Sequence, residues 1–216
     1  MGIKNVRQLV GEALAPLGFQ PASRKGLFIK DCGSYLILAQ TAPIRKEGFL
    51  FDIGVMFLWT AHSDFVYDYA CGDTRINAKD DPLGAVWFDD PPAVRDAKIG
   101  QILDEAREKT DTYRQLTDMS VLKYRLENRN DFMKLANPGL ENRDISLGIA
   151  KMYTGEKARA AEILAQAAKQ NPAAAELYQF CDNDVVFYDT LIHLINRCRS
   201  MLAKKYRISL DPIEEI

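Results

Sequence analysis

The sequence has few of the residues from which metal centres and disulfide frameworks are built. Its only histidines are His62 and His193, and its four cysteines stand at positions 32, 71, 181 and 198. No two cysteines form a CxxC pair, and their spacings fit no zinc-binding pattern. We therefore expect no metal site, no cofactor, and reduced thiols of the kind found in a cytoplasmic protein.

The motifs of several common enzyme classes are absent as well. The chain has no GK[ST] phosphate loop, no GxGxxG, no HExxH and no GxSxG. Its most apolar run, FLFDIGVMFLWTA, contains Asp52 and is too short to cross a bilayer. The first residues, MGIKNVRQLVGEALAPLGF, lack the apolar stretch of a signal peptide. These absences favour a cytoplasmic, non-enzymatic protein without membrane contact, and we assign no catalytic residue.

Charge is nearly balanced over the chain but uneven along it. The 28 Lys and Arg against 30 Asp and Glu give a net charge of −2, which argues against nucleic acid as a partner. The segment from residue 60 to residue 90, however, holds seven acids and two bases. We expect it to attract a basic protein partner, and the alternative is an acidic loop that only keeps the protein soluble. The candidate partner-binding residues are Asp64, Asp68, Asp73, Asp80 and Asp81.

The N-terminal half alternates between helical and β patterns. Apolar residues recur at helical spacing from residue 3 to about residue 15 and predict a first helix. The runs GLFIK and SYLILAQT, separated by DCGS, predict a hairpin. In GFLFDIGVMFLWT the alternation of period two predicts the strongest strand, with one aromatic face that helices must cover and one mixed face.

After DDPP the periodicity becomes helical and stays so to the C-terminus. Asp90 precedes a proline, so we predict Asp90 as the N-cap of this helix and Pro91 as its first helical residue. Residues 145–172 predict two helices joined at Thr154-Gly155. That hairpin resembles a single tetratricopeptide repeat through its small and packing residues Leu147, Gly148, Gly155, Ala160, Leu164, Ala167 and Pro172.

A second candidate site lies on the mixed face of the sheet. Asp52 interrupts the best strand, and a carboxylate there must be solvated or hydrogen-bonded. Gln40, near the end of the preceding strand, is its expected cross-strand neighbour, and His62 stands at a strand end. Either Gln40, Asp52 and His62 floor a site for a small molecule, or this face is simply open to water. His62 is also a candidate to join Asp68 in a metal site, although a surface-loop histidine is the alternative.

The order of motifs in the first half is similar to that of a known family. A helix ends in LGF at residues 17–19, a strand LFIK follows, the next strand ends in Gln40, FLFDIGV occupies residues 49–55, and Trp87 precedes a helix. This pattern, over roughly residues 5–135, resembles a bacterial family known only by a domain-of-unknown-function label. Members carry Asn where this chain has Asp52. The resemblance implies an α+β domain in a bacterial cytosol and no catalytic residues, and it suggests an immunity or inhibitor role.

Together these patterns predict an α+β protein. We expect a β-meander of three to five antiparallel strands covered by helices at residues 1–136, and an all-helical region packed on it at residues 137–216. Two functions stay open: a protein-binding module, in particular an immunity-type inhibitor of a basic partner, and a hydrolase or small-molecule binder on the polar sheet face.

The binding hypothesis makes a first testable prediction. Neutralising Asp64, Asp68 and Asp73 together should weaken association with a basic partner and reduce its dependence on salt, because long-range attraction would be lost. Titrations of the partner at two ionic strengths would measure both effects. Unchanged affinity would contradict the hypothesis.

Overall fold

The structure, a computed structural model, describes residues 2–22, 26–60, 62–70, 74–78, 81, 83–128 and 140–216. It confirms the predicted α+β class. The strands are β1 Gln20–Pro21, β2 Leu27–Asp31, β3 Tyr35–Ile44, β4 Gly48–Phe57, β5 Arg75–Ile76 and β6 Val86–Trp87. The α-helices of the described residues are α1 Ile3–Leu14, α2 Pro92–Arg114, α3 Met119–Glu127, α4 Leu140–Tyr153, α5 Lys157–Ala167, α6 Pro172–Tyr178 and α7 Asp184–Tyr206. None of these helices is both long and apolar enough to span a membrane.

All strand pairs of the sheet are antiparallel, and β1 to β5 follow one another in order. The long strands β3 and β4 pair over their full length, whereas β5 and β6 are two-residue pieces that both pair with β4. A third piece, an isolated bridge, joins Val55 to Tyr69. The outer edge of β4 is therefore closed by three short segments rather than by one strand.

Helices α1 and α2 cover the aromatic face of the sheet, as its alternation predicts. The odd-numbered residues of β4 from Phe49 to Phe57 are all buried. Tyr35, which pairs with Phe57, donates a hydrogen bond from its hydroxyl to the carbonyl of Tyr113 in α2 (2.8 Å). In α1, Gly11 lies against the ring of Phe28. This face therefore contributes to the core together with both helices.

Helix α7 is joined to the β2–β3 turn through a buried arginine. The side chain of Arg199 is 3 % exposed and binds both carboxylate oxygens of Asp31 at 2.8 and 2.5 Å. It also donates to the carbonyls of Gly33 (2.7 Å) and Asp211 (2.6 Å). A buried guanidinium is tolerated only when its donors are paired, so these bonds fix α7 and the C-terminal segment to the β2–β3 turn.

The hairpin of α4 and α5 has the close approach that the small residues predict. It turns at Gly155, whose φ of +82° is a left-handed conformation that glycine adopts without strain. A Cβ on Gly148 would lie 2.6 Å from Cγ of Leu164. The buried ammonium of Lys151 adds ion pairs to Glu127 (2.5 Å) and Glu156 (2.7 Å), which join α3, α4 and the start of α5.

The start of α2 differs from the prediction. The helix begins at Pro92, with Pro91 as N-cap and without a side-chain cap hydrogen bond. Asp90 instead accepts from the backbone N–H of Trp87 (3.2 Å) and from Nζ of Lys98 (2.9 Å). Pro92 suits the first helical position, and Asp90 closes the turn after β6 instead of capping.

The predicted boundary at residue 136 lies outside the described residues. One hydrophobic cluster contains side chains from both sides of this boundary: it includes Phe57 of the sheet and Leu194 of the C-terminal helices. The two parts therefore share a core.

Two helical glycines allow a matched test of the α4–α5 packing. Gly148→Ala should lower the free energy of unfolding by about 1–3 kcal/mol, because its methyl group would overlap the buried Leu164. Gly100→Ala, on an exposed position of α2 with nothing within 4 Å, should instead raise it by about 1 kcal/mol through helix propensity. Urea denaturation measures both values. A stabilising Gly148→Ala would refute the close packing of these helices.

Candidate functional site

Asp68 lies at the centre of a buried hydrogen-bond cluster. Its side chain is 2 % exposed. Oδ1 accepts from Nε2 of His62 (2.8 Å) and from Nδ2 of Asn142 in α4 (2.9 Å), and Oδ2 accepts from the N–H of Phe57 (2.8 Å). Because a carboxylate only accepts, the proton of His62 in this arrangement lies on Nε2. His62 and Asp68 are therefore in direct contact, and Asp68 joins β4 to α4.

The carboxylate of Asp64 anchors the same segment to the end of α7. It accepts from the hydroxyl of Tyr206, from Nζ of Lys205 (3.2 Å) and from the N–H of Phe65 (2.8 Å). Its side chain remains half exposed.

Asp81 organises the loop before β6. Oδ1 accepts from the N–H groups of Leu83 (2.9 Å) and Ala85 (3.0 Å), and Oδ2 accepts from the indole Nε1–H of Trp87 (2.6 Å). Burial alone would raise the pKa of Asp81, but the hydrogen bonds from Ala85, Trp87 and Leu83 and the charge of Lys98 together lower it below its ordinary value. Asp81 is therefore a charged anchor for the Trp87 ring.

The five candidate acids do not form one exposed surface among the described residues. Asp64, Asp68 and Asp81 are all engaged within the chain, while Asp73 and Asp80 lie outside the described residues. The described acids that sequence reasoning grouped by proximity thus have three separate structural roles.

The second candidate site is only partly assembled. Gln40 and Asp52 are direct cross-strand partners, as predicted. On the other side of Asp52 the partner is Arg75 of β5, whose Nε lies 2.8 Å from Oδ1. This ion pair explains how a carboxylate is accommodated in the strand. His62 is held beyond Phe57, five residues further along β4 or about 16 Å at the usual strand rise, so the structure does not bring it to Asp52.

In the part of the chain that the structure describes, little supports a catalytic nucleophile or a metal-binding site. No group of three or more His, Cys, Asp and Glu side chains there is arranged to hold a metal ion. His193 is exposed on α7. Burial, together with the charge of Asp68, raises the pKa of the Cys198 thiol to about 12, so this thiol is protonated at neutral pH.

An open depression lies where the β3–β4 turn meets the junction of β6 and α2. Its volume is about 750 Å³, and it is lined by Lys46, Glu47, Trp87, Phe88, Asp89 and Asp90. Trp87 and Phe88 are half-buried, and both line the depression. The ring of Phe88 stacks on that of Phe49, with 6.4 Å between centroids. The depression therefore combines rigid aromatic groups with three acids and one base.

The pairing of β6 with β4 brings these two segments together. Gly48 pairs with Trp87, and the N–H of Phe88 donates to the carbonyl of Glu47 (2.7 Å). A Cβ at position 48 would lie 2.6 Å from the carbonyl oxygen of Val86, so only glycine permits this approach. The carboxylates of Glu47 and Asp89 pair with no other residue that the structure describes, and both residues are exposed. Sequence reasoning treated Trp87 and Asp90 only as the junction before a helix, and it missed Lys46 and Glu47, which lie forty residues away.

Comparisons of the chain with protein-family models, curated proteins and solved structures found no match.

The cluster around Asp68 generates a stability prediction. Asp68→Asn should lower the free energy of unfolding by about 2–4 kcal/mol, because an amide cannot accept all three buried hydrogen bonds. Asp89→Asn, an exposed carboxylate of the same segment, should change it by less than about 0.5 kcal/mol. Urea denaturation at neutral pH gives both values. Equal stability of the two variants would refute the anchoring role of Asp68.

Proposed function

We propose that this protein is a non-enzymatic protein-binding module that recognises a basic segment of another protein. The observation that carries the proposal is the depression beside β6, where the half-buried Trp87 and Phe88 meet the carboxylates of Glu47 and Asp89, which have no partner among the described residues. Aromatic side chains dominate the energetics of protein interfaces, and carboxylates at the rim select partners by charge. An immunity-type inhibitor in a bacterial cytosol is the specific form of this proposal.

Exposed apolar side chains near the depression support the same interpretation. Leu83 is 62 % exposed and lies two residues from Asp81, the residue that holds Trp87. Val94, in the first turn of α2, is 45 % exposed. Apolar groups beside accessible aromatic rings favour association over solvation.

The binding surface of this proposal differs from the acidic loop that the sequence favours. Because Asp68 and Asp81 hold the fold together, neutralising them would confuse lost binding with lost structure. Glu47 and Asp89 have no such role among the described residues, so they are the acids to test.

Site-specific photocrosslinking tests the proposal. A p-benzoylphenylalanine side chain in place of Leu83 should give a defined adduct with one protein in the cells that naturally make this chain. The same group in place of Val185, an apolar residue of α7 that is 70 % exposed, is the matched control and should not give that adduct.

The purified partner then permits a quantitative test. Glu47→Lys and Asp89→Lys should each weaken its binding by about tenfold or more, because like charges would face each other. Affinity should also become less sensitive to salt, whereas Glu162→Lys on α5 should have no effect. Adducts that do not depend on position, or affinity unchanged by both charge reversals, would refute the proposal.

A further inference from the structure

We infer that the depression beside β6 receives one arginine side chain of the partner, with its guanidinium between the Trp87 ring and the carboxylates of Glu47 and Asp89. This inference rests on the proposed function and names the chemical group that is recognised. It follows from three properties of the described residues: a fixed indole, unpaired acids beside it, and a neighbouring cation that is already bound.

The indole of Trp87 is held in place before any partner binds. Its Nε1–H donates to Asp81 and its backbone N–H donates to Asp90. Its ring also lies against the backbone of Gly48, where an added Cβ would come within 3.0 Å of Cε3. Tryptophan is the best aromatic side chain for binding a cation over its face, and a ring that is already fixed loses little freedom on binding.

The acids around this ring divide into those that are satisfied and those that are not. Asp90 and Asp81 face the ammonium of Lys98, at 2.9 and 3.9 Å. Asp90, which lines the depression, is thus already paired with one cation. Glu47 and Asp89 line the same depression without an ion pair to a described residue. Their charge is available to a second cation that arrives from outside.

Arginine fits this arrangement better than lysine does. A guanidinium is planar, so it can lie flat on the indole while its edge donates to carboxylates. An ammonium group is a compact and strongly hydrated charge, and it gains less from the ring face. The depression is open to solvent, so it does not confine the residues that flank the arginine.

Lys46 provides a control of opposite sign. It lines the same depression next to Glu47, and its ammonium is the only basic group among the six lining residues. An incoming guanidinium is repelled by Lys46 and attracted by Glu47. Lys46→Gln should therefore strengthen arginine binding, whereas Glu47→Gln should weaken it.

The test uses three peptides that differ in one side chain. Acetyl-Gly-Ser-Xaa-Ser-Gly-amide, with arginine, lysine or citrulline at Xaa, is titrated into the ¹⁵N-labelled full chain. The chain has two tryptophans, so its spectrum contains two indole N–H signals, and Trp87→Phe identifies them. Trp59 is fully buried and donates to Ser146 (2.9 Å), so its signal reports on the fold alone.

The arginine peptide should shift the Trp87 indole signal and leave the Trp59 signal in place. Its affinity should exceed that of the uncharged citrulline peptide by about tenfold, from the ring face and the acids together, with lysine between them. Glu47→Gln and Asp89→Asn should each reduce the arginine affinity, and Lys46→Gln should increase it.

Three results would overturn the inference: no shift of Trp87 with any peptide, equal affinity for arginine and citrulline, or equal affinity for arginine and lysine. Each of these results can be distinguished from a failure of the proposed function. If the crosslinked partner still depends on Glu47 and Asp89, protein binding stands and only the arginine assignment falls. If the arginine peptide binds but no position-specific adduct forms, the site stands and the proposed function falls.

Discussion

The structure depends above all on one buried cation. The guanidinium of Arg199 lies between the β2–β3 turn and the C-terminal segment, and it binds Asp31 and the carbonyls of Gly33 and Asp211. Isolating such a charge from water is costly, so the sheet and α7 must meet in one arrangement that satisfies it. Helix α7 can then hold Asp64 through Lys205 and Tyr206 at its far end. The same helix that anchors the helical half to the sheet therefore also holds the segment that follows β4.

The polar groups that looked functional in the sequence have largely structural roles. Asp68 joins β4 to α4, Asp81 orients Trp87, and Asp52 pairs with Arg75. Each interaction places a short segment along the outer edge of β4. The depression beside β6 is a consequence of this arrangement, because it forms where the β3–β4 turn meets the junction of β6 and α2. Glu47 and Asp89 have no partner there among the described residues.

Sequence reasoning succeeded where a pattern repeats and failed where a contact is single. The alternation in β4 predicted the aromatic face and the Gln40–Asp52 pair, because period two fixes both face and register. Gly148 indicated a close contact between two helices, because it belongs to a regular spacing of small residues in the hairpin. Strand β5 was missed because a strand of two residues is too short to show an alternation of apolar and polar side chains. The prediction of Asp90 as N-cap was wrong. Pro91 occupies that position before a second proline, and Asp90 binds Trp87 and Lys98 instead. The depression could not be predicted, because its two sides are far apart in the chain.

The closure of the β4 edge in three pieces has a consequence for motion. A single long strand would detach as a unit, whereas β5, β6 and the Val55–Tyr69 bridge each pair with β4 over only one or two residues. Each can open without the others, at a free energy well below that of global unfolding. The amides around β5 should accordingly exchange with solvent faster than those of β3, whereas β6 is held in addition by the bonds of Trp87 to Asp81 and Asp90.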